Sequence, residues 1–152
     1  MSSFEKADRK QAIRESVRKG YAAIAREGGS CCGPARSCSC GGNAADVAKA
    51  VGYSDAELDT LPDGANMGLS CGNPGAIAAL KHGEVVLDLG SGGGFDVFLV
   101  AQKIGPHGLA IGVDMTPEML SKARQNAVDF KKRTKLDNVD FRLGEIEHLP
   151  IA

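Results

Sequence analysis

The chain lacks a charge field of either sign. Eighteen basic residues face 19 acidic ones, a formal net charge of -1, and the two signs are interspersed. Neither a nucleic-acid groove nor an anionic membrane is thereby favoured as a partner, whereas small molecules are. It lacks any run approaching the roughly 18 apolar residues of a membrane span, and its N-terminus is charged and helical in pattern rather than built like a secretory leader. A soluble cytoplasmic protein without membrane or nucleic-acid partners is the expectation. No internal repeat is present. None of the five cysteines stands at the Cys-x-x-Cys spacing of ordinary structural zinc sites. Four of them crowd into one short loop, which argues against a secreted disulfide framework and for reduced thiols kept for chemistry.

What the chain does have is a short apolar run carried straight into a glycine loop. Val85-Val86-Leu87-Asp88-Leu89 is β-branched, bounded and barely alternating, which suits a strand buried on both faces of a parallel sheet. In the Asp-x-Gly-x-Gly-x-Gly pattern that continues through Gly90, Ser91, Gly92, Gly93 and Gly94, missing Cβ atoms permit unusual φ and let a bulky ligand lie against the backbone. Free amides at the following helix start favour polar or anionic groups. The dinucleotide fingerprint Gly-x-Gly-x-x-Gly is not met, because its last glycine falls on Phe95 counting from Gly90 and on Val97 counting from Gly92. An acid just before the first glycine, Asp88, instead fits a loop that resembles the first motif of S-adenosylmethionine methyltransferases. Asp114 strengthens this, since it ends a second strand, Leu109–Asp114, where an acid can accept from both ribose hydroxyls.

Around this loop the chain reads as alternating strands and helices. Ile13, Val17, Tyr21 and Ile24 mark an amphipathic helix over Phe4 to Glu27, expected to pack on the body of the protein and lid the site. Gly28-Gly29 ends it, and a Gly-, Ser- and Pro-rich loop carries Cys31, Cys32, Cys38 and Cys40. A short helix follows from Ala44 to Val51, and Ser54-x-x-Glu57 is a capping box for another that ends before Pro62. The turn-rich stretch 63–74 brings Cys71 just ahead of the cofactor strand, so that Cys71 and the glycine loop can be close in space. The helix after Gly94 buries Phe98, Ala101 and Ile104 and stops at Gly105-Pro106. The next starts at Thr116 as N-cap with Pro117 first in the helix, and runs to about Lys135 on Leu120, Ala123, Ala127 and Phe130. Val139–Leu143 is a third strand.

The fold class is α/β: a Rossmann-like class I S-adenosylmethionine-dependent methyltransferase sheet of about three parallel strands with right-handed crossovers, preceded by N-terminal helices and a Cys-rich loop. Residues 1–75 form the helical and Cys-rich segment, and 76–152 the N-terminal part of the cofactor-binding domain. A doubly wound sheet needs about five to seven strands, so the expectation is a truncated chain, or one that completes its sheet with another copy of itself through the exposed edge.

Clustered thiolates on a glycine-rich loop suit a soft, thiophilic ion or thiol–disulfide exchange. Cys-Cys-Gly in that loop, Leu69-Ser70-Cys71-Gly72-Asn73-Pro74, the glycine loop, Gly112-Val113-Asp114-Met115-Thr116-Pro117 and Gly144-Glu145-Ile146-Glu147-His148-Leu149-Pro150 together resemble arsenite S-adenosylmethionine methyltransferases of the microbial type. The resemblance implies S-adenosyl-L-methionine as cofactor and arsenite or its thiol conjugates as substrate. It gives Cys71 the roles of binding trivalent arsenic and taking part in the redox step, with Cys32, or less well Cys31, as disulfide partner. Asp88, Gly90, Ser91, Gly92 and Gly94 would hold the methionine part of the cofactor and Asp114 its ribose. Met115 would flank the adenine, edged by Ile146 and Glu147, or by Glu145 in a shifted register. Glutathione or thioredoxin would be the reductant. The family's two further arsenic-binding cysteines would lie beyond the last residue, and Cys38 and Cys40 receive no role. A thiol module that captures arsenite or another soft metal without turnover, and a methyltransferase for a small organic acceptor, are the alternatives.

Overall fold

The computed structural model describes residues 3–27, 44–69 and 79–151. Cys31, Cys32, Cys38, Cys40 and Cys71, and with them the Cys-rich loop, lie outside the described residues. The elements are α1 (Ser3–Glu27), α2 (Ala44–Ala50), α3 (Asp55–Asp59), β1 (Val85–Leu89), α4 (Phe95–Ile104), β2 (Leu109–Asp114), α5 (Pro117–Thr134) and β3 (Val139–Leu143). The three strands pair in the order β1-β2-β3, parallel throughout, with Asp88 opposite Gly112 and Asp114 opposite Leu143. This is the strand–helix–strand–helix–strand order read from the sequence, and its register brings Asp88 and Asp114 to the same, C-terminal, end of the sheet.

The core forms where α4 and α5 cover the sheet. Phe98, Ile104, Ala123 and Phe130 are fully buried, and Phe98 packs on Phe130 at 4.9 Å and edge-on to Phe141 at 5.6 Å between ring centroids. Ala48, Tyr53, Leu61 and Ala65, from the N-terminal segment, belong to the same core. Arg133 ties that segment down, donating to the Leu61 carbonyl at 2.9 Å and pairing with Asp63 at 3.0 Å. The Ser54–Glu57 capping box forms, each side chain accepting from the other's backbone N–H. Gly105, at φ +72°, ends α4, and Asn138 seals that end by donating to the carbonyls of Ala101 and Gly105, both at 2.9 Å.

Three local expectations are corrected. β1 is not buried on both faces: Val85 is 70% and Leu89 50% exposed, because among the described residues β1 pairs on one side only, and β2 is the central, buried strand. The apolar stripe of α1 does not face the body, since Ile13, Val17 and Tyr21 are exposed and the described buried residue of the helix is Ala22. The helix is docked instead by charged side chains, Arg26 on Glu118 and Lys122 on the Ala25 carbonyl, besides those at the site below. Thr116 stands at the N-cap of α5, but its hydroxyl makes no cap bond. The carboxylate of Asp114 takes the Thr116 N–H instead, at 2.7 Å.

Candidate cofactor and active site

The strand ends and the glycine loop build one wall of a cavity of about 990 Å³. The loop folds back on β2: the N–H groups of Gly90 and Ser91 donate to the Val113 carbonyl at 2.8 and 3.1 Å, and that of Gly94 to the Ser91 carbonyl at 2.9 Å. Gly92 N–H donates to Asp114 Oδ2 at 3.0 Å. Asn126, buried on α5, donates to the Gly93 carbonyl at 3.1 Å. The amides of Gly90, Ser91, Gly92 and Gly94 are therefore already satisfied, and these positions present shape and carboxylates rather than free donors.

The glycines serve different ends. A Cβ on Gly90, at φ +81°, would meet nothing within 4 Å, so it would stand in the cavity. One on Gly94, at φ +90°, would lie 2.7 Å from Phe141 Cζ and 2.8 Å from Phe98 Cε2, a position behind the cavity wall where helix and sheet close on each other. Gly112 is bounded likewise by Ser91 Oγ at 2.7 Å and Phe141 Cδ1 at 2.8 Å.

Three carboxylates, Asp88, Asp96 and Asp114, line the cavity, and no ion pair to any of them occurs among the described residues. Burial, with the charges of Asp96 and Asp114 nearby, pushes Asp88 up to about 6. Burial also raises Asp96, against a hydrogen bond from Tyr53 that lowers it. Asp114 spends one site of each carboxylate oxygen on the Gly92 and Thr116 amides and keeps acceptor capacity on both.

Met115, Glu145, Ile146 and Glu147 also line the cavity, with Ile146 62% exposed. A turn joins Glu145 and His148, and α1 clamps it. Arg14 pairs with Glu147 at 2.6 Å and Glu145 at 3.4 Å, and Arg18 with Glu145 at 3.1 Å. Arg14, with Tyr21 from the apolar stripe, thus puts α1 on the cavity wall, so the helix does cover the site, held there by its charged side chains.

Of the residues expected at the site, Asp88, Gly90, Ser91, Gly92, Asp114, Met115, Glu145, Ile146 and Glu147 share this one cavity. Gly94 supports it from behind, and Cys32 and Cys71 lie outside the described residues. Sequence reasoning missed Tyr53, Asp96, Asn126 and Arg14. Asn126 had a signal, a polar residue between Ala123 and Phe130 on the buried stripe of α5. Arg14 had none, its partners being 131 and 133 positions away in the chain. Among the described residues no group of three or more His, Cys, Asp or Glu is arranged to hold a metal ion, and no helix is long and apolar enough to cross a membrane.

The residues present fit S-adenosylmethionine. Asp114 can take ribose hydroxyls, the uncompensated acids suit a cationic ligand, and the satisfied loop amides match a ligand that carries no phosphate. A methyltransferase-domain family matches residues 80–152. An arsenite methyltransferase of Halobacterium salinarum is 50% identical over 91% of this chain and 36% of its own length. One from Aquipseudomonas alcaligenes is 46% identical over 47% of this chain and 20% of its own. Among solved structures, an arsenic(III) S-adenosylmethionine methyltransferase from Chlamydomonas reinhardtii aligns at 33% identity and a TM-score of 0.48, over 69% of this chain and 33% of that one. The chain thus spans about a third or less of these relatives' length. With half its aligned positions shared over 91% of its length, the chain is similar to an arsenite methyltransferase, and its residues 80–152 match a methyltransferase domain of the class I S-adenosylmethionine-dependent fold.

Proposed function

We propose that this chain works in the methylation of trivalent arsenic by S-adenosylmethionine, a detoxifying reaction. The observation that carries the reading is the 50% identity to an arsenite methyltransferase over 91% of the chain. The cofactor supplies an electrophilic methyl group on a sulfonium centre. Asp114 orients the ribose, while Asp88, Gly90, Ser91, Gly92 and Gly94 shape and hold the methionine end. Met115 and Ile146 flank the adenine beside Glu145 and Glu147, which Arg14 and Arg18 fix in place. Thiolate-bound arsenic keeps a lone pair, so no general base is required, and the residues' task is alignment in a water-poor space.

Cys71 binds the arsenic. When the methylated product is pentavalent, Cys71 and Cys32 return it to the trivalent state by closing a disulfide, giving up two electrons and two protons; glutathione or a thioredoxin system then reopens it. Cys31, Cys38 and Cys40 carry no role in this scheme. Reduced thiols of this kind suit a cytoplasmic setting. We divide the chain at 75/76 into the thiol-bearing segment and the cofactor-binding domain, in keeping with a family match that starts at residue 80. Self-association through the β1 edge would complete the sheet.

Incubation of the reduced chain with arsenite and S-adenosylmethionine, followed by arsenic speciation, tests the reading. Methylated arsenic is expected from the wild type and none from Cys71→Ser, which should still bind the cofactor. Unimpaired methylation by that variant would sink the assignment. The alternative is a thiol module that captures arsenite without turnover. Arsenite adducts without any cofactor binding would establish it.

A further inference from the structure

One buried acid has no part in the scheme above. Asp96 stands in the first turn of α4, half-buried on the cavity wall, and its Oδ1 accepts a 2.5 Å hydrogen bond from the Tyr53 hydroxyl. Tyr53 is 3% exposed and its ring meets Phe95 edge-on at 4.8 Å. It belongs to the link between α2 and α3, so the N-terminal segment reaches across the core to fix a carboxylate on the cofactor helix. A core that needed only packing would be served as well by phenylalanine there. Tyr53 engages one oxygen of Asp96, which leaves acceptor capacity on the carboxylate.

A further observation on the same wall points to a ligand. Asp88 lies there too, and among the described residues no cation pairs with either acid. Two acids without an ion pair call for a group that is cationic and carries several N–H donors. The sulfonium of S-adenosylmethionine has the charge but no donor, whereas its α-ammonium has both. With Asp114 assigned to the ribose, Asp88 and Asp96 are the lining acids left for the other end of the ligand.

We propose that Asp96, fixed by Tyr53, anchors the α-ammonium at the methionyl end of the cofactor. The assignment rests on reading the cavity as an S-adenosylmethionine site. Tyr53 acts as a positioning residue, since it touches Asp96 and not the ligand.

Calorimetric titration of the full chain with S-adenosylmethionine, S-adenosylhomocysteine and 5′-methylthioadenosine tests this, because the last lacks the amino acid and the second lacks the sulfonium charge. Asp96→Asn should weaken the first two alike, by about tenfold or more, the scale of one charge-assisted hydrogen bond, and leave 5′-methylthioadenosine within about twofold. Retained binding of the last ligand also reports an intact fold. Equal loss for all three would make Asp96 a support of the loop only. Loss for S-adenosylmethionine but not S-adenosylhomocysteine would make it a reader of the sulfonium. No loss would remove it from the site. Each of these three results overturns the proposal, whereas a wild type that binds none of the ligands overturns the cofactor reading itself.

Tyr53→Phe separates positioning from packing. Without the phenol, burial raises Asp96 further, so the variant should bind S-adenosylmethionine more weakly than wild type at acidic pH and approach it as pH rises. Asp88 and Asp114 face the same space, and Glu57, paired with Lys103 at 3.1 Å, acts on Tyr53 from behind. All of these are present in both proteins, so the comparison is made between them at each pH. A pH-independent defect would assign Tyr53 to packing alone.

Discussion

Alanine at Gly94 and at Gly90 should do different things, although the two glycines stand four residues apart in one motif. Both sit in left-handed backbone, φ +90° and +81°, where a Cβ costs about 1–2 kcal/mol. At Gly94 the new methyl would also enter between Phe141 Cζ at 2.7 Å and Phe98 Cε2 at 2.8 Å. Phe98 is fully buried and Phe141 6% exposed, so neither ring can swing into solvent, and overpacking of this kind adds about 1–3 kcal/mol. Gly94→Ala should therefore lose about 2–5 kcal/mol of a total that for a domain is about 5–15 kcal/mol. Gly90→Ala meets nothing within 4 Å and should lose only the backbone share. Its methyl, however, stands where the ligand would lie. Urea unfolding and cofactor titration of the two variants separate the effects: Gly94→Ala should fail in stability, and Gly90→Ala should fail chiefly in binding. Equal destabilisation of the two, or full cofactor affinity in Gly90→Ala, would refute the division of labour.

Asp88 should make the fold less stable as pH rises. Its carboxyl is raised to about 6 in the fold, above its unfolded value, so the folded chain holds the extra proton, and stability present below about pH 4 is lost as pH climbs through 6. At about 1.4 kcal/mol per pH unit, Asp88→Asn should gain about 3 kcal/mol at pH 8 and nothing at pH 3, while losing cofactor affinity. A denaturation profile with no pH-dependent difference from wild type would contradict the burial argument. Arg14→Ala should barely move the melting temperature, since its ion pairs are solvent-exposed, but should speed hydrogen exchange along α1 and in the turn at Glu145–His148. Unchanged exchange would show that Arg18, Arg26 and Lys122 hold the helix without Arg14.

The strands and sheet helices were legible because their signals are local. β1, β2 and β3 each begin and end where the apolar runs Val85–Leu89, Leu109–Asp114 and Val139–Leu143 do, and Gly105 and Pro117 punctuate the helices between them. The grouping of Asp88, Asp114 and the 145–147 turn in one cavity followed too, since parallel crossovers must return each strand end to the same side of the sheet. Where reading failed, the deciding contact was distant. The stripe of Ile13, Val17 and Tyr21 has the spacing of a buried face, yet α1 is oriented by arginines whose carboxylate partners come more than 120 residues later. β1 looked doubly buried because its composition suits a central strand, whereas burial depends on which strands stand beside it.

The amino-acid order by itself determined a parallel α/β unit with a glycine loop between two acids, because periodicity, turn residues and the hand of the crossover are set within a few dozen residues. The tertiary structure alone decided how that loop is used. The amides of Gly90, Ser91, Gly92 and Gly94 are spent on Val113, Asp114 and Ser91, which leaves carboxylates to carry most of its chemistry, and Tyr53 joins Asp96 only because the core carries the N-terminal segment across the cofactor helix. Hydrogen-bond partners 22 and 43 residues apart are chosen by packing, and packing is a property of the whole fold.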